Sequence, residues 1–267
     1  MSVEAVRRMG VVAGIDPPEA RMIVLPALSD AAGVPRVGVL AALADSVTGV
    51  HALEVLDCEA ALTADLAVHS AGVPVAPGTV LAATSRLLKR RRRGAVFQVE
   101  VADGEHRVAT ATVTYSTAGE GAVRVPEAMT EPATEPWPPD DLCTSVDELL
   151  PLDEAADGGG MELAVDEVTC NNFGVLAGGA IGMAADVAAA RTAGRLLDGD
   201  ATVTDLVVHF LAPGRVGPVA IRTDVVAPGP DRVSLRITMT DRGDGDRLLV
   251  AATAGACRSS VARDLVP

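Results

Sequence analysis

Apolar and polar positions alternate in eight short stretches along the chain. They fall at residues 62–69, 80–88, 95–101 and 107–115, and again at 202–210, 219–226, 232–239 and 248–257. A period of two predicts strands with one buried face. Turn signals separate them: Ala76-Pro77-Gly78, Ala102-Asp103-Gly104, Pro213-Gly214, Ala227-Pro228-Gly229 and the run from Asp241 to Asp246. Ahead of each set lies a long stretch without alternation, 38–56 and 178–197, rich in Ala, Gly and Leu. Apolar nearly all round, each predicts a buried helix. Short strand-like runs at 22–25 and 163–165 precede the helices, with a Gly-containing loop between. Each half therefore reads as an antiparallel sheet wrapped round one long buried helix, an α+β class.

The two halves repeat each other. Asp30-Ala31-Ala32-Gly33-Val34-Pro35-Arg36-Val37-Gly38 lies over Asn171-Asn172-Phe173-Gly174-Val175-Leu176-Ala177-Gly178-Gly179, and both lead into a small-residue apolar run ending at Asp45 or Asp186. Farther on, Asp65-Leu66-Ala67-Val68-His69 matches Asp205-Leu206-Val207-Val208-His209, one residue closer in register. Between the halves, residues 120–157 hold eleven acidic residues and only one basic residue, Arg124, with six prolines and a closing Gly158-Gly159-Gly160. That composition predicts a surface-hugging connector, with one helical turn near 145–150 capped by Ser145. The organisation is then 1–118, an acidic Pro-rich linker 119–160, and 161–267.

Composition narrows the function. With 49% apolar residues in 267, a sizeable core is available. Aromatics are 2% and the net charge is −14, which argues against nucleic acid and anionic membrane as partners. No stretch reaches the roughly 18–20 uninterrupted apolar residues of a membrane span. The apolar run before Asp16 is too short for a secretory signal core, so a cytoplasmic setting is expected. Cys58, Cys143, Cys170 and Cys257 are widely spaced, as expected of thiols in a reducing compartment. No spacing of His and Cys suggests a metal.

Asp45 and Asp186 are each the only acid within a run of small apolar residues. Such a carboxylate is costly unless paired or used, so both are candidates for nucleophile or general base. Gly178 and Gly179 open a helix, where free N–H groups and the positive dipole end suit a developing oxyanion.

The pattern Asn171, Gly174, Gly178, Gly179, then Asp186 resembles the hotdog-fold acyl-CoA thioesterases of the phenylacetyl-CoA and medium-chain type. The resemblance implies a tandem, double hotdog. It departs where His usually precedes the Gly pair: Ala177 stands there, and Arg36 in the first half. In homodimers of that family, each site joins the Asn/Gly loop of one subunit to the Asp and Thr/Ser of the other. Here the crossed site is Asn171, Gly178, Asp45 and Thr63. The opposite site is Asp30, Arg36, Gly38, Asp186 and Val203, without Asn or Thr. Val203 is flanked by Thr202 and Thr204, and a one-residue slip would exchange which of them faces the site. Arg36 and Gly38 are candidate substrate-binding residues.

Lys89, Arg90, Arg91, Arg92 and Arg93 form the only basic cluster, either a solvated hairpin tip or a contact for the phosphates of coenzyme A. His69 and His209 recur at matching strand positions and read as packed or surface residues. The resemblance implies hydrolysis of a thioester to acid and coenzyme A, with coenzyme A entering as part of the substrate, no other cofactor, and self-association of double-hotdog chains. Two alternatives stay open, an acyl-CoA binding protein without catalysis and a hotdog enoyl-CoA hydratase or dehydratase.

Overall fold

A computed structural model describes residues 3–14, 18–58, 60–118, 137–155 and 160–259. The chain begins with α1 (Val3–Arg8), β1 (Val11–Ala13) and β2 (Glu19–Ile23), then α2 (Val37–Leu56) and four strands, β3 (Ala61–Ser70), β4 (Val80–Arg91), β5 (Gly94–Ala102) and β6 (Arg107–Thr117). After the connector come β7 (Leu152–Glu154), β8 (Met161–Leu163), α3 (Gly178–Leu197), β9 (Ala201–Phe210), β10 (Val219–Pro228), β11 (Arg232–Asp241) and β12 (Arg247–Arg258). The predicted helices and the eight long strands are all present, with ends moved by a few residues at most.

Among the described residues, twelve strands form one antiparallel sheet, ordered β1-β2-β4-β5-β6-β3-β9-β12-β11-β10-β8-β7. The halves join at β3 and β9, where Asp65 pairs with His209, Ala67 with Val207 and His69 with Asp205. The sheet curls round α2 and α3, which pack on each other and on its inner face. This enclosure explains why α2 is long and apolar enough to satisfy the length and composition of a membrane span. Its apolar residues meet sheet and partner helix: Val39, Leu40, Ala41, Leu43, Ala44 and Val47 are almost wholly buried.

Small residues let the helices touch near their N-terminal halves. A Cβ added at Gly38 would lie 2.6 Å from Met183 Cα, and one at Gly182 would lie 3.0 Å from Ala41 Cβ. Both helices end at an Asp with φ of 51°, Asp57 and Asp198, which again lie 141 residues apart. The repeat thus extends to the helix caps.

Of the acidic connector, residues 119–136 and 156–159 lie outside the described residues, while 137–155 depart from the expected surface-hugging path. Among its described residues, Leu149 and Leu150 are fully buried. Leu152–Glu154 pairs with β8. Trp137 Nε1 donates to the Gly10 carbonyl at 3.1 Å, and Cys143 N donates to the Arg8 carbonyl at 2.8 Å. Its acids hold α1 in place: Asp141 takes two bonds from Arg7, and Glu148 pairs with Arg8. The predicted helical turn is a single 3-10 turn over Val146–Glu148, with Ser145 Oγ accepting from Glu148 N. Proline and charge pointed to a surface path, yet two adjacent leucines suffice to draw this segment into the core.

Candidate active site

Asp45 lies two turns into α2, on the side facing the start of α3. Its carboxylate receives donors from both halves of the chain. Thr63 Oγ1 donates to Oδ1 at 2.7 Å, and the Tyr115 hydroxyl donates to the same oxygen at 2.8 Å. Gly179 N donates to Oδ2 at 3.1 Å. The approach at the helix start is close: a Cβ at Gly178 would lie 2.9 Å from Oδ2. An N-terminal helix turn carries unpaired N–H groups and the positive dipole end, so an anion is well placed there.

A β-bulge presents the threonine. On β3, Thr63 pairs with Tyr115 and Asp65 with Thr114, leaving Ala64 as the extra residue. Leu66 faces the core, so strict alternation would turn Thr63 outward; the inserted residue re-aims it inward. Tyr115 was not among the residues singled out from sequence. It is the only tyrosine in the chain and sits on the inward register of β6, the strand beside β3, which is the signal that could have found it. Burial, and after it the charge of Asp45, pushes the phenol well above its ordinary value. The hydroxyl therefore remains a donor. Gly49 makes room for it, since a Cβ there would lie 3.3 Å from the phenol oxygen. Phe97 stacks edge-on against the ring at 6.2 Å between centroids.

The opposite site keeps the carboxylate and loses the hydroxyls. Asp186 is 2% exposed, and its partner across the helix pair is the backbone N–H of Gly38. The bulge recurs on β9, where Val203 pairs with Ala256 and Asp205 with Gly255. Val203 thus takes the place of Thr63, and Ala256 that of Tyr115. The register question from the sequence resolves to Val203. Thr204 is the bulged residue and bonds to Asp205, while Thr202 donates to Asp30 Oδ2 at 2.5 Å. Arg36 Nη1 reaches Asp186 at 3.4 Å, and its buried Nε has no partner among the described residues. Burial pushes the Asp186 carboxyl up to about 6, against the opposing pull of Arg36.

The Asp30 and Asn171 loops share one construction. Asp30 Oδ1 accepts from Ala32 N and Val34 N; Asn171 Oδ1 accepts from Phe173 N and Val175 N. Gly33 and Gly174 follow with φ of 79° and 70°, the left-handed turn that glycine adopts without strain. Asn171 thus spends its side-chain oxygen on the loop before α3, and no described hydrogen bond links it to Asp45. His69 and His209 lie half exposed on the outer face, bonded to Asp205 and Asp65 across the seam. The four cysteines are unpaired. Burial pushes each thiol up, that of Cys143 to about 11.

Residues 173–247 match the family model of the thioesterase superfamily. A search of curated proteins finds no significant match. Solved structures match over nearly the whole chain. An acyl-CoA thioesterase II from Mycobacterium marinum has a TM-score of 0.63 at 13% identity, covering 94% of this chain and 97% of its own. A protein from Novosphingobium aromaticivorans, provisionally named a thioesterase, has a TM-score of 0.66 at 18% identity, covering 92% and 97%. A conserved protein with a hot dog fold from Alicyclobacillus acidocaldarius has a TM-score of 0.60 at 14% identity, covering 96% and 98%. The shared architecture is the double hotdog.

Proposed function

We propose that this chain is an acyl-CoA thioesterase with one working site, built across its two halves around Asp45. The observation that carries the reading is the convergence of Thr63, Tyr115 and the α3 amide of Gly179 on one carboxylate. Asp45 is half-buried, whereas Asp186 is enclosed.

The carboxylate acts as general base. Its Oδ1 is held by two hydroxyls, which fix the plane of the group. Asp45 takes a proton from water, and the resulting hydroxide adds to the thioester carbonyl carbon. The carbonyl electron pair moves to oxygen, where the first turn of α3 offers N–H groups to the developing charge. In the free chain Oδ2 occupies the Gly179 amide, so a seated thioester oxygen competes for that donor and releases Oδ2 toward the water. Collapse of the adduct breaks the C–S bond, and the thiolate takes the proton back from Asp45.

The test is thiol release from short, medium, long and aryl acyl-CoA thioesters by wild type, Asp45→Asn and Asp186→Asn. The reading requires turnover that is lost in Asp45→Asn and kept in Asp186→Asn. Equal loss in both variants overturns the single-site assignment. Ala177 places no base ahead of the Gly pair, which favours a second reading, acyl-CoA binding without hydrolysis. Wild-type binding without turnover on any thioester would establish that reading instead.

A further inference from the structure

Resting on the thioesterase reading, we propose that the β4–β5 hairpin end seats the phosphate-bearing nucleotide of the coenzyme A thioester. Lys89, Arg90, Arg91, Arg92 and Arg93 are consecutive and exposed, and none of them forms an ion pair among the described residues. Other arginines of the sheet find acids, as Arg107 does with Glu100 and Arg236 with Asp224. Five unpaired like charges repel one another. In a chain of net charge −14, their concentration at one point calls for an anion from outside. The matching hairpin of the second half reads Pro228-Gly229-Pro230-Asp231-Arg232 and has no such cluster.

Sheet register ties this cluster to Asp45. Thr63 pairs with Tyr115, Tyr115 with Ala95, and Ala95 with Arg90. Three strand spacings separate Thr63 from Arg90, about 14 Å at ~4.8 Å each. The pantetheine arm has about twelve bonds from sulfur to the phosphate oxygen, and spans about 14 Å at the pitch of extended backbone. A thioester at Asp45 therefore delivers its phosphates to the level of the basic residues. A cavity of about 580 Å³ opens there, its lining including Arg91, Arg92, Arg93, Thr114, Tyr115 and Ser116. That volume is in the range of small-molecule sites. Gly94 holds the hairpin against β6, since a Cβ there would lie 2.5 Å from the Tyr115 carbonyl oxygen. Tyr115 thus borders the cavity and also bonds Asp45. Guanidinium groups suit phosphate because they donate in a planar fork.

The experiment compares wild type with an R91A/R92A/R93A triple variant on two thioesters of the same acyl group, one on coenzyme A and one on pantetheine, which lacks the nucleotide. Melting curves confirm that the variant folds. The expected result is that the preference for coenzyme A over pantetheine, as a ratio of kcat/KM values, falls about 10- to 100-fold, the scale of charged hydrogen bonds lost. Added salt lowers the wild-type preference in the same direction. An unchanged ratio, whether activity is kept or falls equally on both thioesters, overturns the nucleotide seat while leaving the hydrolase intact. If wild type cleaves neither thioester, the hydrolase reading fails. Calorimetric binding of adenosine 3′,5′-bisphosphate then decides the seat: binding that the triple variant loses supports it, and no wild-type binding overturns it.

Discussion

Asp45 and Asp186 occupy equivalent places on α2 and α3, each facing the start of the other helix, and they live in opposite surroundings. Asp45 is half-buried and takes two side-chain hydroxyls and one amide. Asp186 is 2% exposed and takes one amide and a long contact to Arg36. The backbone at the two positions, bulge included, is the same. What separates them is the exchange of Thr63 and Tyr115 for Val203 and Ala256, together with Arg36 in place of Ala177. A duplicated frame thus keeps a costly helix carboxylate twice, but surrounds it with side-chain hydroxyl donors once.

The largest expected effect that tests this contrast is Asp45→Asn, which removes the base and lowers kcat by at least ~10²- to 10⁴-fold, against a change within a few-fold for Asp186→Asn in the same thiol-release assay. Next come the hydroxyls. Thr63→Val and Tyr115→Phe copy or approach the surroundings of Asp186, and each is expected to lower kcat about 10- to 100-fold, the scale of a hydrogen bond to a charged group. A drop in kcat with little change in KM would mark them as positioning the base; unchanged kcat in both would erase the distinction between the sites.

The glycines at the two helix starts should fail differently. Gly178→Ala puts a methyl 2.9 Å from the Asp45 Oδ2 and is expected to remove activity while the fold survives. Gly38→Ala meets the backbone of Met183 at 2.6 Å, and is expected to cost about 1–3 kcal/mol of stability by overpacking the helix contact. Urea melts and turnover on the same preparations check both.

The last contrast is the pH signature of Asp186, read in stability rather than turnover. Its carboxyl is raised from 3.8 to about 6, so the folded state binds this proton more tightly than the unfolded state does. The stability it contributes is complete below about pH 4 and is lost as pH rises toward 6. The shift corresponds to roughly 3 kcal/mol at ~1.4 kcal/mol per pH unit. The stability of wild type relative to Asp186→Asn should therefore fall by that order between pH 4 and pH 7. A flat difference would mean that Asp186 is not the enclosed acid described.

Much of this was legible before folding. Asp45 and Asp186 stood out because a lone acid in an apolar helix is expensive, and Thr63 followed from the thioesterase resemblance. Tyr115 was not legible as a site residue. It looks like any inward aromatic of a strand, and only the β3 bulge brings Thr63 round beside it. Asn171 reads as a site residue from the motif, whereas in the fold its side-chain oxygen closes its own loop, as the Asp30 carboxylate does. The connector misled through its prolines and charge, because Leu149 and Leu150 reveal their burial only when β8 and α1 are in place.

The sequence by itself determined the elements, their order, the duplication and the two helix carboxylates, because alternation, turn chemistry and the cost of a buried charge act locally. Tertiary structure alone chose the full set of donors round each carboxylate: Thr63, Tyr115 and the Gly179 amide on Asp45, the Gly38 amide and Arg36 on Asp186. That choice rests on cross-strand register and on the approach of two helix starts through Gly38 and Gly178. Both depend on residues more than a hundred positions apart meeting in space, and no local pattern records such a meeting.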